Sequence, residues 1–410
     1  MKYIVLLGDG MAGYPLEELG GKTTLEFAKT PNMDYMASTG KLGLAKTVPE
    51  NLPPGSDVAN LSVLGYDPQK YYTGRAPLEA ASIGVELGPD DVAYRCNLVS
   101  IKCSEPECGI RMFCRKCTME DFSAGHITTP EASVLIKDID QAIGSDIVKF
   151  YPGVSYRHLM VWKGGEYKAD CTPPHDITGR ELSDHLPEGV GADFLLELMK
   201  ESAALLESHQ VNRDRIAKGK LPANSVWLWG QGKRPVMPTF REQYGLSGAM
   251  ISAVDLMNGI AAILGLKVIH VEGATGYIDT NYKGKAEAAL KAIEEADFVY
   301  VHVEAPDEAG HGGNMKHKIQ AIEDFDEKVV GTVLANLKGR DDCRVLVMPD
   351  HPTPIAVKSH TRDAVPFILW DSGKAGSESG IKYDESSAKR TGLFVEEGWR
   401  MMEYLLKGGL

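Results

Sequence analysis

The chain has 410 residues, of which 43% are apolar and 25% are charged, and its formal net charge is −13. This composition is typical of an ordinary globular protein, and the length leaves room for two domains. The acidic balance argues against nucleic acid or an anionic membrane surface as the main partner. No run approaches the ~20 apolar residues of a membrane span. The run 3–7 is too short for a signal peptide, so we expect a cytoplasmic protein.

The first predicted element is the short apolar strand Tyr3–Leu7, which ends at a glycine as buried parallel strands often do. A helical segment over Thr24–Gly40 follows, and the Pro- and Gly-rich stretch 48–55 is predicted to be a loop. The segment Asp57–Leu64 is predicted to be a helix that Ser56 or Asp57 caps.

Residues 84–238 differ in composition, since they are rich in Pro, Gly and Cys. They contain one clear predicted helix, Asp193–Ser208. Beyond this stretch, predicted helices and strands alternate: helix Ser247–Leu264, strand Val268–Val271, helix Lys285–Ala296, strand Phe298–Val303, helix Met315–Leu337, strand Arg344–Met348 and the run Phe367–Trp370. This alternation predicts an α/β core, a parallel sheet with helices on both faces, built from residues 1–83 and 239–410. A smaller α+β domain, residues 84–238, is expected to be inserted into it.

Side chains that can bind metals follow several of the predicted strands. They are Asp9 after the first apolar run, Asp307 and His311 in EAPDEAGHGG, Asp350 and His351 after VLVMP, and His360 in SHT. In open α/β sheets, ligands bind beyond the carboxyl ends of the strands, so these side chains can converge on one cleft. Carboxylate and imidazole ligands suit Mn, Zn, Co or, less well, Mg. The sequence therefore predicts two divalent metal ions, a pair that can clamp a phosphoryl group.

Ser56, in the turn PPGSD, is the predicted nucleophile. A bound metal lowers the pKa of a serine hydroxyl, and a helix N-terminus would stabilise the phosphoserine that forms. Ser62 is a rival, but it falls inside the predicted helix. Any one of these residues is more often a turn residue or a helix cap, so the inference depends on their joint occurrence at four strand ends.

The segments GDGM, PPGSDVANLSVLGYDP, EAPDEAGHGG, MPDHPTP and SHT resemble the archaeal-type cofactor-independent phosphoglycerate mutases of the alkaline phosphatase superfamily. The resemblance covers nearly the whole chain and implies an alkaline-phosphatase-like core. It implies an isomerase that interconverts 3-phosphoglycerate and 2-phosphoglycerate through phosphorylated Ser56, without free 2,3-bisphosphoglycerate. The implied ligands are Asp9, Ser56, Asp350 and His351 for one metal, and Asp307, His311 and His360 for the other.

Such a mutase must retain the glycerate and exclude water while the serine carries the phosphate, and a lid with cationic side chains would do both. His175, beside Asp176, is the predicted acid/base residue for the glycerate hydroxyls. Surface Arg and Lys are usually solvated, which is the alternative for each cationic candidate. The predicted substrate-binding residues are Arg95, Arg157, Asp176, Arg180, Lys233, Arg234 and Lys285.

The inserted stretch also contains a cluster of cysteines, Cys103, Cys108, Cys114 and Cys117, with the spacing C-x4-C-x5-C-x2-C. Two short pairs of thiolates can hold a structural zinc ion, and plain free thiols are the alternative. In a cytoplasmic protein, disulfides are the less expected state.

Three other functions remain open on the same residues. Transfer to a different acceptor, as in homoserine kinase-like relatives, would need a nucleotide site, and the GxGxxG match at Gly8–Gly13 and the GGKTT run at Gly20–Thr24 are weak. A phosphomonoesterase would result if water entered the site. A binding module without catalysis would leave buried carboxylates unpaired, which is costly.

Overall fold

The computed structural model of the protein describes residues 1–104, 117–374, 376 and 378–409. The strands are β1 (Lys2–Gly8), β2 (Lys41–Ala45), β3 (Val92–Cys103), β4 (Cys117–Asp121), β5 (Val148–Tyr151), β6 (Arg157–Trp162), β7 (Ser225–Lys233), β8 (Gly248–Ile251), β9 (Lys267–Val268), β10 (Phe298–Val303), β11 (Cys343–Met348), β12 (Val365–Asp371) and β13 (Phe394–Val395).

The helices are α1 (Thr24–Phe27), α2 (Pro31–Thr39), α3 (Ser56–Val63), α4 (Pro68–Tyr71), α5 (Ala76–Ser82), α6 (Thr129–Ile143), α7 (Ala192–Glu207), α8 (Gln210–Ala217), α9 (Phe240–Tyr244), α10 (Asp255–Ile263), α11 (Tyr282–Glu295), α12 (Ala305–His311), α13 (Met315–Asp324), α14 (Gly331–Leu337), α15 (Glu385–Arg390) and α16 (Met401–Lys407). A π-helical turn, Phe325–Val330, joins α13 to α14.

The chain forms two compact units, of which the first comprises Met1–Tyr72 and Val236–Leu410 and the second Thr73–Pro235. The sequence placed the boundaries later, after residues 83 and 238. The difference arises at α5, because its residues Ala76 and Ala80 pack with apolar side chains of β3 and β6 in the second unit.

The first unit contains an eight-stranded sheet in the order β13-β2-β12-β11-β1-β10-β8-β9. The predicted α/β class is confirmed, but the sheet is mixed, because β12 runs antiparallel to both β11 and β2. The connection from β11 to β12, residues 349–364, is fully described and contains no helix. An antiparallel neighbour needs no helical crossover, which explains why the regular alternation stops there.

Most predicted elements of the first unit are confirmed within a residue or two, and the strand Phe298–Val303 is confirmed at both ends. The predicted helix Ser247–Leu264 is wrong in its first part, where β8 precedes α10. β8 is a short apolar run that pairs with β10, and such a run has no periodicity that separates a strand from a buried helix. The predicted strand Val268–Val271 is reduced to the short β9.

The second unit contains a five-stranded antiparallel sheet in the order β4-β3-β6-β5, with β7 paired to the long strand β3. The predicted helix Asp193–Ser208 is confirmed as α7, which packs against β7. The sequence missed α6, although Thr128 and Glu131 form a capping box at its start. Across the described residues of both units, no helix is long and apolar enough to cross a membrane.

The expectation of free thiols is wrong for one cysteine pair. Cys103 at the end of β3 is the register partner of Cys117 at the start of β4, and the two form a disulfide. Because their sulfur atoms are bonded to each other, they are not available as thiolate ligands for the predicted zinc ion. Cys108 and Cys114 lie outside the described residues.

Candidate active site

The candidate active site of the first unit lies at one edge of its sheet. β1 pairs in parallel with β10 on one side and with β11 on the other, so the carboxyl ends of the three strands lie side by side. Asp9 follows β1, Asp307 lies in the helix that follows β10, and Asp350 follows β11. The three carboxylates are buried, with at most 3% of each residue exposed. The sheet topology therefore brings together acids that are far apart in the sequence.

A first group of ligand atoms comes from Asp9, Asp350 and His351, and these atoms lie within 4.8 Å of one another. His351 Nε2 is 3.3 Å from Asp350 Oδ2 and 3.6 Å from Asp9 Oδ1. All three side chains are fully buried. Two carboxylates and an imidazole at these distances form a pocket that suits a divalent cation.

A second group comes from Asp307, His351 and His360. His360 Nε2 lies 3.5 Å from Asp307 Oδ1 and 2.9 Å from His311 Nε2, and His311 Nε2 lies 3.2 Å from Asp307 Oδ2. His311 and His360 keep some contact with solvent, since 34% and 18% of their side chains are exposed. His351 belongs to both groups, so the two sets of ligands adjoin each other.

The predicted nucleophile, Ser56, is the first residue of α3 and is only 9% exposed. The sequence predicted a cap by Ser56 or Asp57, but the N-cap residue is Gly55, which makes no side-chain cap bond. Asp57 Oδ1 accepts from the Val58 N–H at 2.9 Å in the first turn. Ser56 Oγ lies 3.2 Å from His351 Nε2, so the hydroxyl faces the ligand groups.

The rival serine, Ser62, lies inside α3 and is buried. Its hydroxyl donates to the Thr47 carbonyl oxygen at 2.6 Å. It has a structural partner, and neither ligand group includes it.

The electrostatics of the site favour bound cations. Burial raises the pKa of Asp9 well above its usual value, and the nearby carboxylate of Asp350 raises it further. Burial also acts on Asp307, but hydrogen bonds from His311 and His360 hold the pKa of that carboxyl well below its usual value. Asp9 Oδ1 has no hydrogen-bond partner among the described residues. Crowded buried carboxylates with an unpartnered oxygen are costly unless positive charge is added, so the donor set fits divalent metal ions.

Sequence reasoning missed His302 and Glu304, which extend the site from the end of β10. His302 Nε2 lies 2.8 Å from Asp9 Oδ2, and the ligand atoms of Asp9, His302 and Glu304 form a third close group. Burial lowers the pKa of His302 to about 3 and raises that of Glu304 to about 8. His302 stands within the apolar run FVYVHV, where a single histidine gives no sign of a neighbouring carboxylate.

Lys318 was also missed. Its fully buried ammonium donates to the Ala12 carbonyl oxygen at 3.1 Å and to the Thr353 carbonyl oxygen at 2.6 Å. Thr353 in turn donates through its hydroxyl to Asp307 Oδ1. Lys318 therefore ties the loop after β1 to the loop after β11, and both loops carry metal-ligand candidates.

The glycine after Asp9 is needed for close packing. Gly10 has a φ of +61°, and a Cβ atom there would lie 2.5 Å from Thr353 Oγ1 and 2.6 Å from Asp307 Oδ1. A larger residue would therefore meet both a conformational penalty and a clash beside the ligands.

In the second unit, two of the predicted site residues, Arg95 and His175, contact the same aromatic ring, that of Trp229. Arg95 is buried, pairs with Glu79 at 3.0 Å and stacks over Trp229 at 4.1 Å. His175 Nε2 lies 3.6 Å from Asp176 Oδ1, and the ring of His175 packs edge-on to Trp229.

The remaining basic candidates of that unit are more exposed. Arg157 is exposed and stacks on Tyr156, and Lys233 pairs with Asp90 at 3.1 Å. Arg180 and Arg234 are also exposed.

Lys285 lies in the first unit, and its contact with substrate stays a prediction. The side chain is fully buried, and its ammonium donates to the His302 carbonyl oxygen at 3.0 Å. Burial lowers the pKa of Lys285 to about 8. Because its ammonium bonds to the backbone of β10, the side chain supports the end of that strand.

Comparison with known proteins identifies the family. Residues 37–212 match the family model described as 2,3-bisphosphoglycerate-independent phosphoglycerate mutase. A probable mutase of this kind from Geobacter sulfurreducens is 57% identical over 99% of this chain and 100% of its own length. One from Methanosarcina barkeri is 52% identical over 99% of this chain and 100% of its own. The chain belongs to this phosphoglycerate mutase family.

Solved structures agree with the family. A Pyrococcus horikoshii protein matches with a TM-score of 0.81 and 28% identity, over 99% of this chain and 96% of its own. The cofactor-independent phosphoglycerate mutase from Thermoplasma acidophilum matches with a TM-score of 0.66 and 26% identity, over 100% of both chains. The resemblance to the mutase family that the strand-end motifs suggested is therefore confirmed.

Proposed function

We propose that this enzyme interconverts 3-phosphoglycerate and 2-phosphoglycerate through phosphorylated Ser56 and two divalent metal ions, without free 2,3-bisphosphoglycerate. The observation that carries the proposal is the 3.2 Å distance between Ser56 Oγ and His351 Nε2, because His351 belongs to both metal-ligand groups. The full-length similarity to mutases supports the choice of substrate.

The ligands divide into two sets. Asp9, Asp350 and His351, with Ser56, would hold one metal, and Asp307, His311 and His360 would hold the other. When bound, the metals supply Lewis acidity at the phosphoryl oxygens and lower the pKa of the serine hydroxyl. The imidazole-rich donor set favours Mn, Zn or Co over Mg, and we propose manganese as the first metal to test.

The protein's own groups hold the nucleophile in place. Asn60, one turn after Ser56 in α3, donates through Nδ2 to the Ser56 carbonyl oxygen at 2.9 Å and to Asp350 Oδ2 at 2.8 Å. Tyr300 donates to Asn60 Oδ1 at 2.5 Å, which orients the amide. The helix that carries the serine is thereby fixed to a ligand carboxylate. Holding a reactive group in place before the reaction supplies a large part of an enzyme's rate acceleration.

The second unit would supply the groups that bind and protonate the glycerate. The guanidinium groups of Arg157, Arg180 and Arg234 are exposed, and the planar fork of arginine suits carboxylate and phosphate. His175 and Asp176 are the proposed acid/base pair for the two hydroxyls. Arg95 and Lys233 complete the proposed substrate-binding set, although each is already paired with an acid.

We also propose a cytoplasmic location, as expected for an enzyme of central phosphoglycerate metabolism. The reducing cytoplasm disfavours disulfides, so the Cys103–Cys117 disulfide of the structure opposes this assignment. Thiol labelling of freshly lysed cells tests the location: a pair that is alkylated without added reductant would agree with the cytoplasm, and a pair that resists alkylation until reductant is added would contradict it.

An enolase-coupled assay with 3-phosphoglycerate and Mn²⁺, without 2,3-bisphosphoglycerate, tests the proposed reaction. We expect conversion that a chelator removes and added Mn²⁺ restores. Release of inorganic phosphate without 2-phosphoglycerate would identify a phosphomonoesterase instead. A folded, metal-loaded protein without either activity would overturn the proposal and call for a screen of other phosphoryl acceptors, homoserine with a nucleotide included.

A further inference from the structure

Three buried side chains form a hydrogen-bonded line across three neighbouring strands. Ser252 follows β8, His302 lies in β10 and Asp9 follows β1. Ser252 Oγ lies 3.1 Å from His302 Nδ1, and His302 Nε2 lies 2.8 Å from Asp9 Oδ2. The exposed fractions of the three residues are 4%, 0% and 0%. We name this set the Ser252–His302–Asp9 line.

The direction of the hydrogen bonds follows from the partners. The carboxylate oxygen Oδ2 of Asp9 accepts, so a neutral His302 ring that bonds to it carries its proton on Nε2 and accepts at Nδ1. The Ser252 hydroxyl then donates to Nδ1 and accepts from the backbone N–H of Val254 at 3.0 Å. The orientation of the ring is thus set from the side away from the ligands.

The two carboxylate oxygens of Asp9 have different surroundings. Oδ2 is occupied by His302, whereas Oδ1 has no hydrogen-bond partner among the described residues and lies 3.6 Å from His351 Nε2. The backbone N–H of Asp9 is also fixed, because it donates to the Val303 carbonyl oxygen at 2.9 Å. Asp9 therefore has one bound oxygen and one free oxygen, and the free oxygen faces the ligand group.

The strand that carries His302 is itself anchored. The buried ammonium of Lys285 donates to the His302 carbonyl oxygen at 3.0 Å. Glu304 Oε2 lies 3.5 Å from His302 Nε2, so the same N–H also faces a second carboxylate.

We infer that His302, held by Ser252, is a positioning residue that presents Asp9 Oδ1 to a metal ion. The inference rests on the proposed two-metal function and deepens it, since it assigns a residue outside the ligand set to the affinity of one site. Partners that orient a ligand from behind commonly change metal affinity by about 10–100-fold when they are removed.

Metal binding by the full chain tests the inference without an activity assay. His302→Leu removes the donor to Asp9, and we expect Mn²⁺ affinity at one of two sites to fall about 10–100-fold in a chelator competition, while the other site is unchanged. His302→Gln retains an N–H that can reach Asp9 and should recover most of the loss. Ser252→Ala should give a smaller loss in the same direction.

A stability control separates positioning from general damage. Val301→Ala truncates a buried side chain in β10 and should destabilise the fold without changing Mn²⁺ affinity. Equal affinities for wild type and all three line variants would overturn the inference and leave the proposed function standing. Three metal equivalents in the wild type and two in His302→Leu would also overturn it, since His302 would then be a ligand. A wild type that binds no divalent metal would refute the proposed function itself.

Discussion

The two compact units of this chain present their candidate functional groups in different ways. In the first unit, Asp9, Asp307 and Asp350 are buried at adjacent strand ends. Each belongs to a group of ligand atoms that lie within 4.8 Å of one another. In the second unit, Arg157 and Arg180 are exposed, so their guanidinium groups are open to solvent. The first set is fixed before any ligand arrives, whereas the second is free to adjust to one.

The difference has an energetic cause. A buried carboxylate without a compensating charge is costly, so the carboxylate cluster of the first unit is stable only with a cation or a proton. An exposed guanidinium is well solvated and needs no fixed partner. Substitutions in the first unit should therefore change metal binding, and substitutions in the second should change substrate affinity at constant metal content.

The largest expected effect is that of Ser56→Ala. Loss of the nucleophile should lower kcat by at least about 10³-fold, since removal of such a group usually costs that much or more. Elemental analysis should still find metal, because Asp9, Asp350 and His351 remain. Ser62→Ala is the matched control from the same helix, and it should lose only the hydrogen bond to Thr47, worth about 1 kcal/mol of stability. Full loss of activity in the control, with activity retained in Ser56→Ala, would move the nucleophile to Ser62.

Asp307→Ala should remove one metal equivalent and nearly all activity. The acid lies within 3.5 Å of nitrogen atoms of both His311 and His360, so its loss leaves two imidazoles to hold the ion. Asp324→Ala is a suitable control, since Asp324 is also buried but pairs with Lys328 at 2.7 Å, outside the ligand groups. Elemental analysis after dialysis gives the answer. An unchanged metal count in Asp307→Ala would remove this residue from the ligand set.

The same contrast explains what the sequence could predict. Asp9, Asp307 and Asp350 each follow an apolar strand within a few residues. The rule that ligands bind beyond the carboxyl ends of strands in α/β sheets is enough to bring them together. His302 was missed because it lies inside a strand, and Lys318 because a lysine in an amphipathic helix is normally solvated. The contacts of both depend on packing between elements, which no local pattern encodes.

Errors in the predicted fold have a similar origin. The antiparallel β12 and the strand β8 depend on pairing with distant strands, and a short apolar run fits either a helix or a strand. The Cys103–Cys117 pair depends on the register of β3 with β4. The substrate-binding candidates of the second unit were chosen by residue type alone, and the exposure of Arg157 and Arg180 leaves their roles to experiment.

Arg157→Ala tests the second unit. Loss of one guanidinium that contacts a carboxylate or phosphate should raise KM for 3-phosphoglycerate about tenfold, equivalent to about 1.4 kcal/mol. Metal content should remain that of the wild type. Arg213→Ala removes another exposed arginine from the same unit, one that bonds to Gln210 and the Ser208 carbonyl oxygen, and should leave KM unchanged. Equal KM values for both variants and the wild type would exclude Arg157 from the substrate site.

The smallest effect concerns stability, and it comes from a buried group in the second unit. His158 is 3% exposed, accepts a hydrogen bond from the Gly153 N–H at Nδ1, and has no partner for Nε2 among the described residues. Burial lowers the pKa of His158 to about 3. The unfolded chain binds a proton near pH 6.5, so the stability is fully present above that pH and is lost as the pH falls from about 6.5 towards 3.

His158→Leu should remove this pH dependence, because leucine does not titrate. At pH 7.5 the variant should be less stable by about 1 kcal/mol, because the Gly153 N–H loses its acceptor. At pH 5 the depressed pKa of His158 lowers the stability of the wild type by about 2 kcal/mol, and the leucine variant has no such loss. The variant should therefore be the more stable protein at pH 5. Hydrogen exchange of the β3 and β6 amides, corrected for intrinsic rate, reports on this unit alone. His270→Gln, an exposed histidine of the first unit, is the control. A constant difference between variant and wild type at both pH values would show that His158 has the same pKa in the folded protein as in the unfolded chain. Burial would then have less effect in the second unit than in the ligand groups of the first.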